Sequence, residues 1–299
     1  MQKTLVVLVG PTAVGKTNTA INLAHFLDTE IISADSRQVY KEMCIGTAKP
    51  TIAELQHIKH HLVGHVSIHQ NYSVADYAQD ANHSIEQLFL KYDTLILTGG
   101  SGLYIDAVCN GLDDLPESDP NLKNQLTQIL NEHGIEKLQS KLYELDPAFY
   151  QSIDLQNPHR LIRAIEVCML TGKKFSDLRL GNKKQNSFRL IKIGLNLPRE
   201  NLYERINLRV HKMLLDGLLE EAESLYKFRA LKALKTVGYS ELFDFLENKN
   251  TLEDAVQLIQ QNSRRYAKRQ LTWFRKVQEV QWFDSARFDE IKAFLEQKI

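Results

Sequence analysis

The chain has 299 residues, 43% of them hydrophobic and 25% charged, with 37 basic and 37 acidic side chains and a formal net charge of zero. This is an ordinary globular balance and argues against a disordered chain. Zero net charge does not exclude a nucleic-acid binder, because local patches matter more than the total, but such a patch must then be visible in the sequence.

The first element is an apolar strand over Thr4 to Val9, and directly behind it stands GPTAVGKT, residues 10–17. Gly-x4-Gly-Lys-Thr between a strand and a helix (Lys16 to Phe26) is the spacing of a phosphate-binding P-loop, with Gly10, Pro11, Thr12, Ala13, Val14 and Gly15 forming the turn. Backbone N–H groups and the helix N-terminus cradle phosphate oxygens, Lys16 adds a point charge, and the Thr17 hydroxyl is the usual magnesium ligand. A turn that merely joins strand to helix needs neither the lysine nor the hydroxyl. Nothing in the loop reads a base or a ribose, so the loop alone does not name its ligand.

A second strand, Glu30 to Ala34, runs into SADSRQ. Asp35 lies just past the strand end. Its carboxylate either faces the first loop, holding magnesium or serving as a base, or it caps a following helix. His57, His60, His61, His65 and His69 come next; without a His-Glu-x-x-His pattern they read as surface and packing histidines rather than metal ligands. A helix over Val74 to Leu90 leads to a third strand, Thr94 to Thr98, which ends in Thr98-Gly99-Gly100-Ser101-Gly102. A nucleoside triphosphatase would place a magnesium-binding acid here. The glycines instead allow close backbone approach to a ligand and Ser101 supplies a hydroxyl, which predicts contact with phosphate.

From Leu112 to Lys184 no strand is expected, and helices run over Pro120 to Glu132, Ile135 to Leu145 and His159 to Leu170. The turn-rich DDLPESDP opens this region and the polar GNKKQNS closes it. It reads as a helical insertion, 113–184, between a first part of the core, 1–112, and a second, 185–299. Strands resume at Leu190 to Leu195 and Val280 to Phe283. The alternation predicts an α/β fold, a parallel sheet flanked by helices on both faces, with ligands bound beyond the carboxyl ends of the strands. The loops at residues 10–17, 33–38 and 99–104 all fall at such ends.

A long helix is expected from Leu252 to Gln278. Within it SRRYAKRQLTWFRK, residues 263–276, carries Arg264, Arg265, Lys268, Arg269, Arg275 and Lys276 with no acid. At 100° per residue the six cations fall within about 140°, with Tyr266, Ala267, Leu271, Trp273, Phe274 and Val277 opposite as core. Solvated faces mix signs, and this one does not, so it suits a phosphate backbone. Cys44, Cys109 and Cys168 are far apart and form no Cys-x-x-Cys pair, which points to reduced thiols in a cytoplasmic protein. The N-terminal apolar run is too short for a signal peptide, and no stretch approaches the roughly 20 residues that span a bilayer.

With these segments in order, the sequence resembles the tRNA dimethylallyltransferases, also called tRNA isopentenyltransferases. GPTAVGKT, SADSRQVY, IGTAKP, YSVADY, GGSGLY, NPHRLIRAIEV, VGYSEL and AKRQLTWFR carry the resemblance over nearly the whole chain. Val14 stands where the family often has Ser, and Ser101 where it often has Thr. The zinc finger of eukaryotic relatives is missing. The resemblance implies transfer of a dimethylallyl group from dimethylallyl diphosphate to N6 of the adenine 3′ to the anticodon, with Mg²⁺ on Thr17. It makes Asp35 the base and gives Lys16, Thr17, Ser101 and Arg209 to catalysis. By the same resemblance Asp35, Ser36, Arg37, Gln38, Ser101, Lys123, His159, Arg160, Leu161, Ile162 and Arg163 contact tRNA, and the insertion clamps the anticodon stem-loop. A monomer is expected. A P-loop kinase using ATP on a small molecule or nucleoside is the alternative enzyme. A non-catalytic RNA-binding module would explain the basic helix but not Lys16, Thr17 and Asp35 around one crevice.

Overall fold

The computed structural model describes residues 2–179, 186–277 and 279–299. Six strands, β1 (Thr4–Val9), β2 (Ile31–Ser33), β3 (His60–His61), β4 (Thr94–Gly99), β5 (Arg189–Asn196) and β6 (Val280–Asp284), pair in parallel in the order β3-β2-β4-β1-β5-β6. The α/β architecture is the one expected. Every residue of β1 and β4 is buried, as in a parallel sheet covered on both faces.

The two faces can be read off the pleat. Leu5, Val7 and Val9 of β1 join Leu95 and Leu97 in one core, under the helix Val74–Phe89 with its Tyr77, Ala81 and Ile85. Val6 and Leu8 join Ile96, Ile191 and Ile193 in the other, under the helix Lys16–Leu27 with its Ala20, Leu23 and Ala24. Val9 pairs with both Gly99 and Gly194, so β1 and β4 end at one level, β5 runs two residues further, and all three release their loops along one edge.

Two details, a short strand and the end of the long helix, differ from the sequence expectation. Strand β3 was not expected; two residues carry no periodicity, and only pairing with Ile31 and Ile32 makes them a strand. His60 hydrogen-bonds the Ile58 carbonyl, His61 pairs with Glu30, His65 bonds Tyr72, and His69 packs edge-on against Phe228. The long helix spans Leu252–Phe274, where Arg275 closes it by donating to the Leu271 and Trp273 carbonyls. Arg275 and Lys276 therefore lie past the helix end; Gln278, the expected end, lies outside the described residues.

By contacts the chain forms two compact units, Met1–Cys109 with Gln185–Ile299, and Asn110–Lys184. The second is all helix among its described residues, with helices Pro120–His133, Ile135–Leu145 and Pro158–Thr171 packed through Leu126, Leu138, Leu142, Leu161 and Ile165. Its closing segment, GNKKQNS, lies outside the described residues up to Gln185. No helix among the described residues is long and apolar enough to cross a membrane.

Candidate active site

The loop after β1 turns into its helix at Gly15, whose φ of 110° is a conformation that favours glycine, and no side chain caps that helix end. The first-turn N–H groups thus face the loop's concavity, the arrangement that receives an anion. Val14 is fully buried and belongs to the core, which accounts for an apolar residue at that place. Lys16 folds back over the loop, its Nζ donating to the carbonyls of Gly10 (3.0 Å) and Pro11 (2.8 Å). Burial pulls its ammonium down to about 8; the Asp35 carboxylate opposes that shift and the Arg209 guanidinium adds to it. Arg209 in turn donates from Nη1 to the Thr12 hydroxyl at 3.2 Å, and burial lowers its own pKa against the pull of Asp35.

Asp35 follows β2, and both sequence readings of it have a structural counterpart. One carboxylate oxygen, Oδ1, accepts from the N–H groups of Arg37 (2.9 Å) and Gln38 (3.3 Å), holding a turn rather than a helix. The group also lines the same cavity as Thr12, Lys16, Thr17 and Arg209, a space of about 650 Å³. Among the described residues that line this cavity Asp35 is the sole carboxylate, while Lys16, Arg37, Arg205, Arg209, Lys235 and Arg269 are cationic. Ile206, Val210, Met213, Leu218 and Ile259 add an apolar wall.

The glycine-rich loop after β4 is close-packed, but against protein. A Cβ on Gly99 would stand 2.1 Å from the Ala34 carbonyl oxygen, one on Gly100 2.3 Å from Gln270 Nε2, and one on Gly102 2.4 Å from the Trp273 ring. These glycines admit a neighbouring strand end and two side chains of the long helix, and Gly99 and Gly100 also line the cavity beside the phosphate loop. Ser101 fixes the Asp35 turn, its N–H donating to Ala34 O and its Oγ accepting from Ser36 N at 2.8 Å. Tyr266, expected as core, lines the cavity, hydrogen-bonds Ser101 and lies under the Arg269 guanidinium; burial pushes its phenol well above the usual value. Trp273, also expected as core, is 37% exposed.

The residues expected on tRNA fall into two groups. Lys123, His159, Arg160, Arg265, Lys268 and Arg269 are exposed. Leu161 and Ile162 sit in the core of the helical unit, and Arg163, partly exposed, is tied to Glu166 (2.7 Å) and the Pro116 carbonyl. Arg264 donates to Asn207 and lies over the Tyr203 ring. Arg37 donates to the Ala233 carbonyl, and the Gln38 amide donates to the carbonyls of Thr47 and Ala48.

Sequence reasoning missed Arg205, Gln270 and Glu221. Arg205 stands one helical turn before Arg209, a spacing that could have flagged it. Glu221 accepts from the N–H groups of Cys44, Ile45 and Gly46 and from the Tyr239 hydroxyl, and so shapes the 46–48 wall of the cavity. No local signal marks it.

The IPP transferase family matches residues 38–277. A tRNA dimethylallyltransferase of Christiangramia forsetii is 50% identical over 303 residues, covering 100% of this chain and 99% of that protein. The tRNA dimethylallyltransferase 1 of Bacteroides thetaiotaomicron is 45% identical, covering 98% and 95%. Among solved structures, the tRNA isopentenylpyrophosphate transferase from Bacillus halodurans has a TM-score of 0.73 at 38% identity, covering 100% of this chain and 97% of that one. A eukaryotic dimethylallyltransferase acting on tRNA has a TM-score of 0.80 at 27% identity, covering 95% and 74%.

Proposed function

The chain belongs to the IPP transferase family, whose similar members are tRNA dimethylallyltransferases, and from that premise we propose that it transfers a dimethylallyl group from dimethylallyl diphosphate to N6 of the adenine 3′ to the anticodon. The observation that carries this reading is the charge layout of the cavity: one carboxylate, several cations at and near the phosphate loop, and an apolar wall. Such a site suits an allylic diphosphate and a single proton acceptor.

In the reaction the C–O bond to the diphosphate breaks, its electron pair leaving with the oxygen, and the bond from N6 to the allylic carbon forms. Lys16, Arg209 and the loop N–H groups bind the diphosphate and stabilise the charge that grows on it. The Asp35 carboxylate takes the N6 proton as the bond forms. The adenine leaves its stack to enter the cavity, as bases do in enzymes that act on them. Ile206, Val210 and Met213 exclude water from the allylic carbon.

Magnesium fits the donor set. Among the described residues no three His, Cys, Asp or Glu side chains cluster as a cage, and the Thr17 hydroxyl lines the cavity. Mg²⁺ commonly binds through one or two protein oxygens, substrate phosphates and water, and when bound it would neutralise charge on the diphosphate. The tRNA anticodon stem-loop meets the exposed cations of the helix Leu252–Phe274, with Lys123, His159 and Arg160 of the helical unit as further contacts. The protein acts as a monomer in the cytoplasm.

The test is mass spectrometry of tRNA nucleosides after incubation with dimethylallyl diphosphate and Mg²⁺ and without ATP. A prenylated adenosine is expected. ATP-dependent phosphorylation of a small acceptor, with unmodified tRNA, would replace this reading by the kinase.

A further inference from the structure

Gln270 is a buried polar side chain, 5% exposed, on the helix Leu252–Phe274. Its Oε1 accepts from the Thr12 N–H at 2.8 Å, and its Nε2 donates to the Gly100 carbonyl at 2.9 Å. Thr12 belongs to the phosphate loop after β1 and Gly100 to the loop after the neighbouring strand β4. One amide therefore ties together the loops that follow two adjacent strands. A Cβ on Gly100 would meet Nε2 at 2.3 Å and Asp35 Oδ2 at 3.6 Å, so the amide occupies space that only glycine leaves, close to the Asp35 carboxylate.

Packing alone does not call for this residue. A methionine would fill a similar volume, whereas an amide is suited to a place where one end must accept a hydrogen bond and the other donate. The Gly100–Ser101 segment also anchors the Asp35 turn: Ala34 N–H donates to Thr98 O, Ser101 N–H to Ala34 O and Ser36 N–H to Ser101 Oγ. The loop that holds the diphosphate and the segment that holds the base are thus joined through one side chain.

We propose that Gln270 is a positioning residue that sets the spacing between the phosphate loop and the Asp35 turn, and so between the allylic carbon and the attacking nitrogen. This rests on the transfer reaction proposed above. A misplacement of about 1 Å in such a site can cost on the order of 10²-fold in rate. Gln270 touches neither reacting atom in this account; it acts through Thr12 and Gly100.

Two variants test it in single-turnover transfer at saturating tRNA and dimethylallyl diphosphate. Gln270→Met keeps the volume and removes both hydrogen bonds. Its rate is expected to fall on the order of 10²-fold, with the dissociation constants of both substrates within about threefold, a split that general unfolding would not give. Gln270→Glu is the conservative rescue. As a neutral acid it can accept from Thr12 and donate to Gly100; ionised, it has no proton to donate and faces the Gly100 carbonyl with a charge. Its rate relative to wild type at the same pH is expected to rise as pH is lowered and to fall as pH is raised. A thermal melt accompanies each measurement, and if Gln270→Met does not fold, the pH ratio of Gln270→Glu decides. A Gln270→Met rate within threefold of wild type, or a flat pH ratio for Gln270→Glu, overturns the proposal. A wild type that does not prenylate tRNA would instead overturn the functional reading.

Discussion

Asp35→Asn separates the two tasks of one carboxylate. Oδ1 holds the turn through the N–H groups of Arg37 and Gln38, and asparagine supplies an acceptor oxygen that caps about as well as aspartate. The turn should survive, with a change in unfolding free energy within about 0.5 kcal/mol. What asparagine lacks is a site for the N6 proton. Loss of a general base costs about 10²–10⁴-fold in rate, or roughly 2.7–5.5 kcal/mol in barrier. A second effect must be kept apart: the Asp35 charge raises the pKa of Lys16, which already stands near 8, so the substitution lowers it further. Measured near pH 6.5, where Lys16 stays charged, the loss reports the base alone. The assay is rapid-quench transfer to saturating tRNA, with a thermal melt alongside. A rate within a few-fold of wild type would remove Asp35 from the chemistry, and a strongly lowered melt would assign the loss to the turn.

Other outcomes follow from the same geometry. Because burial lowers the Lys16 pKa to about 8, the free loop carries that charge below pH 8 and loses it above; metal-free diphosphate affinity by calorimetry should be level near pH 7 and fall toward tenfold per pH unit above about 8, and a level profile to pH 9.5 would refute this. Lys16→Ala should lower the transfer rate by about 10²–10³-fold; a loss under threefold at saturating donor would count against it. Arg265→Glu with Lys268→Glu should weaken tRNA binding and flatten its salt dependence by about 0.7–0.9 per lost phosphate contact while leaving diphosphate binding alone; equal tRNA affinity at low salt would make the face mere surface. Glu221→Gln turns an amide NH₂ toward backbone donors at residues 44–46 or toward Tyr239, and should lower stability by about 2–3 kcal/mol in urea titration; an unchanged midpoint would show the loop is held otherwise.

The sheet was legible because strands buried on both faces are continuous apolar runs, as at Thr4–Val9 and Thr94–Gly99. The phosphate loop was legible because its chemistry is local to eight residues. Strand β3 and Glu221 were not, since each is defined by partners far away in sequence: Ile31 and Ile32 for one, residues 44–46 and Tyr239 for the other. The glycines at 99, 100 and 102 were legible as sites of close approach, but that Ala34, Gln270 and Trp273 are what approaches them was not, since these come from distant parts of the sequence. Arg264 looked like a free cation on a helical wheel, yet Asn207 and Tyr203 engage it from another helix.

The same cavity explains how a loop common among phosphoryl-transfer enzymes can serve a different bond. Transfer of a phosphoryl group calls for acids that hold metal ions, and one often follows a strand near the loop. Here β4 ends at Gly99, and the one carboxylate among the described lining residues is Asp35. In the proposed reaction the diphosphate gains one negative charge as its bond to carbon breaks, and Asp35 loses one as it takes the proton. The charge of the site as a whole is unchanged; it moves from Asp35 toward the phosphate loop. Lys16 and Arg209 interact with Asp35 in the structure and stand beside that loop. The cations that hold the charge before reaction are therefore in place to hold it afterwards, with little reorganisation during the step. Gln270, neutral and doubly hydrogen-bonded, fits between the two positions without disturbing that balance; a charged residue there would add to one end at the expense of the other.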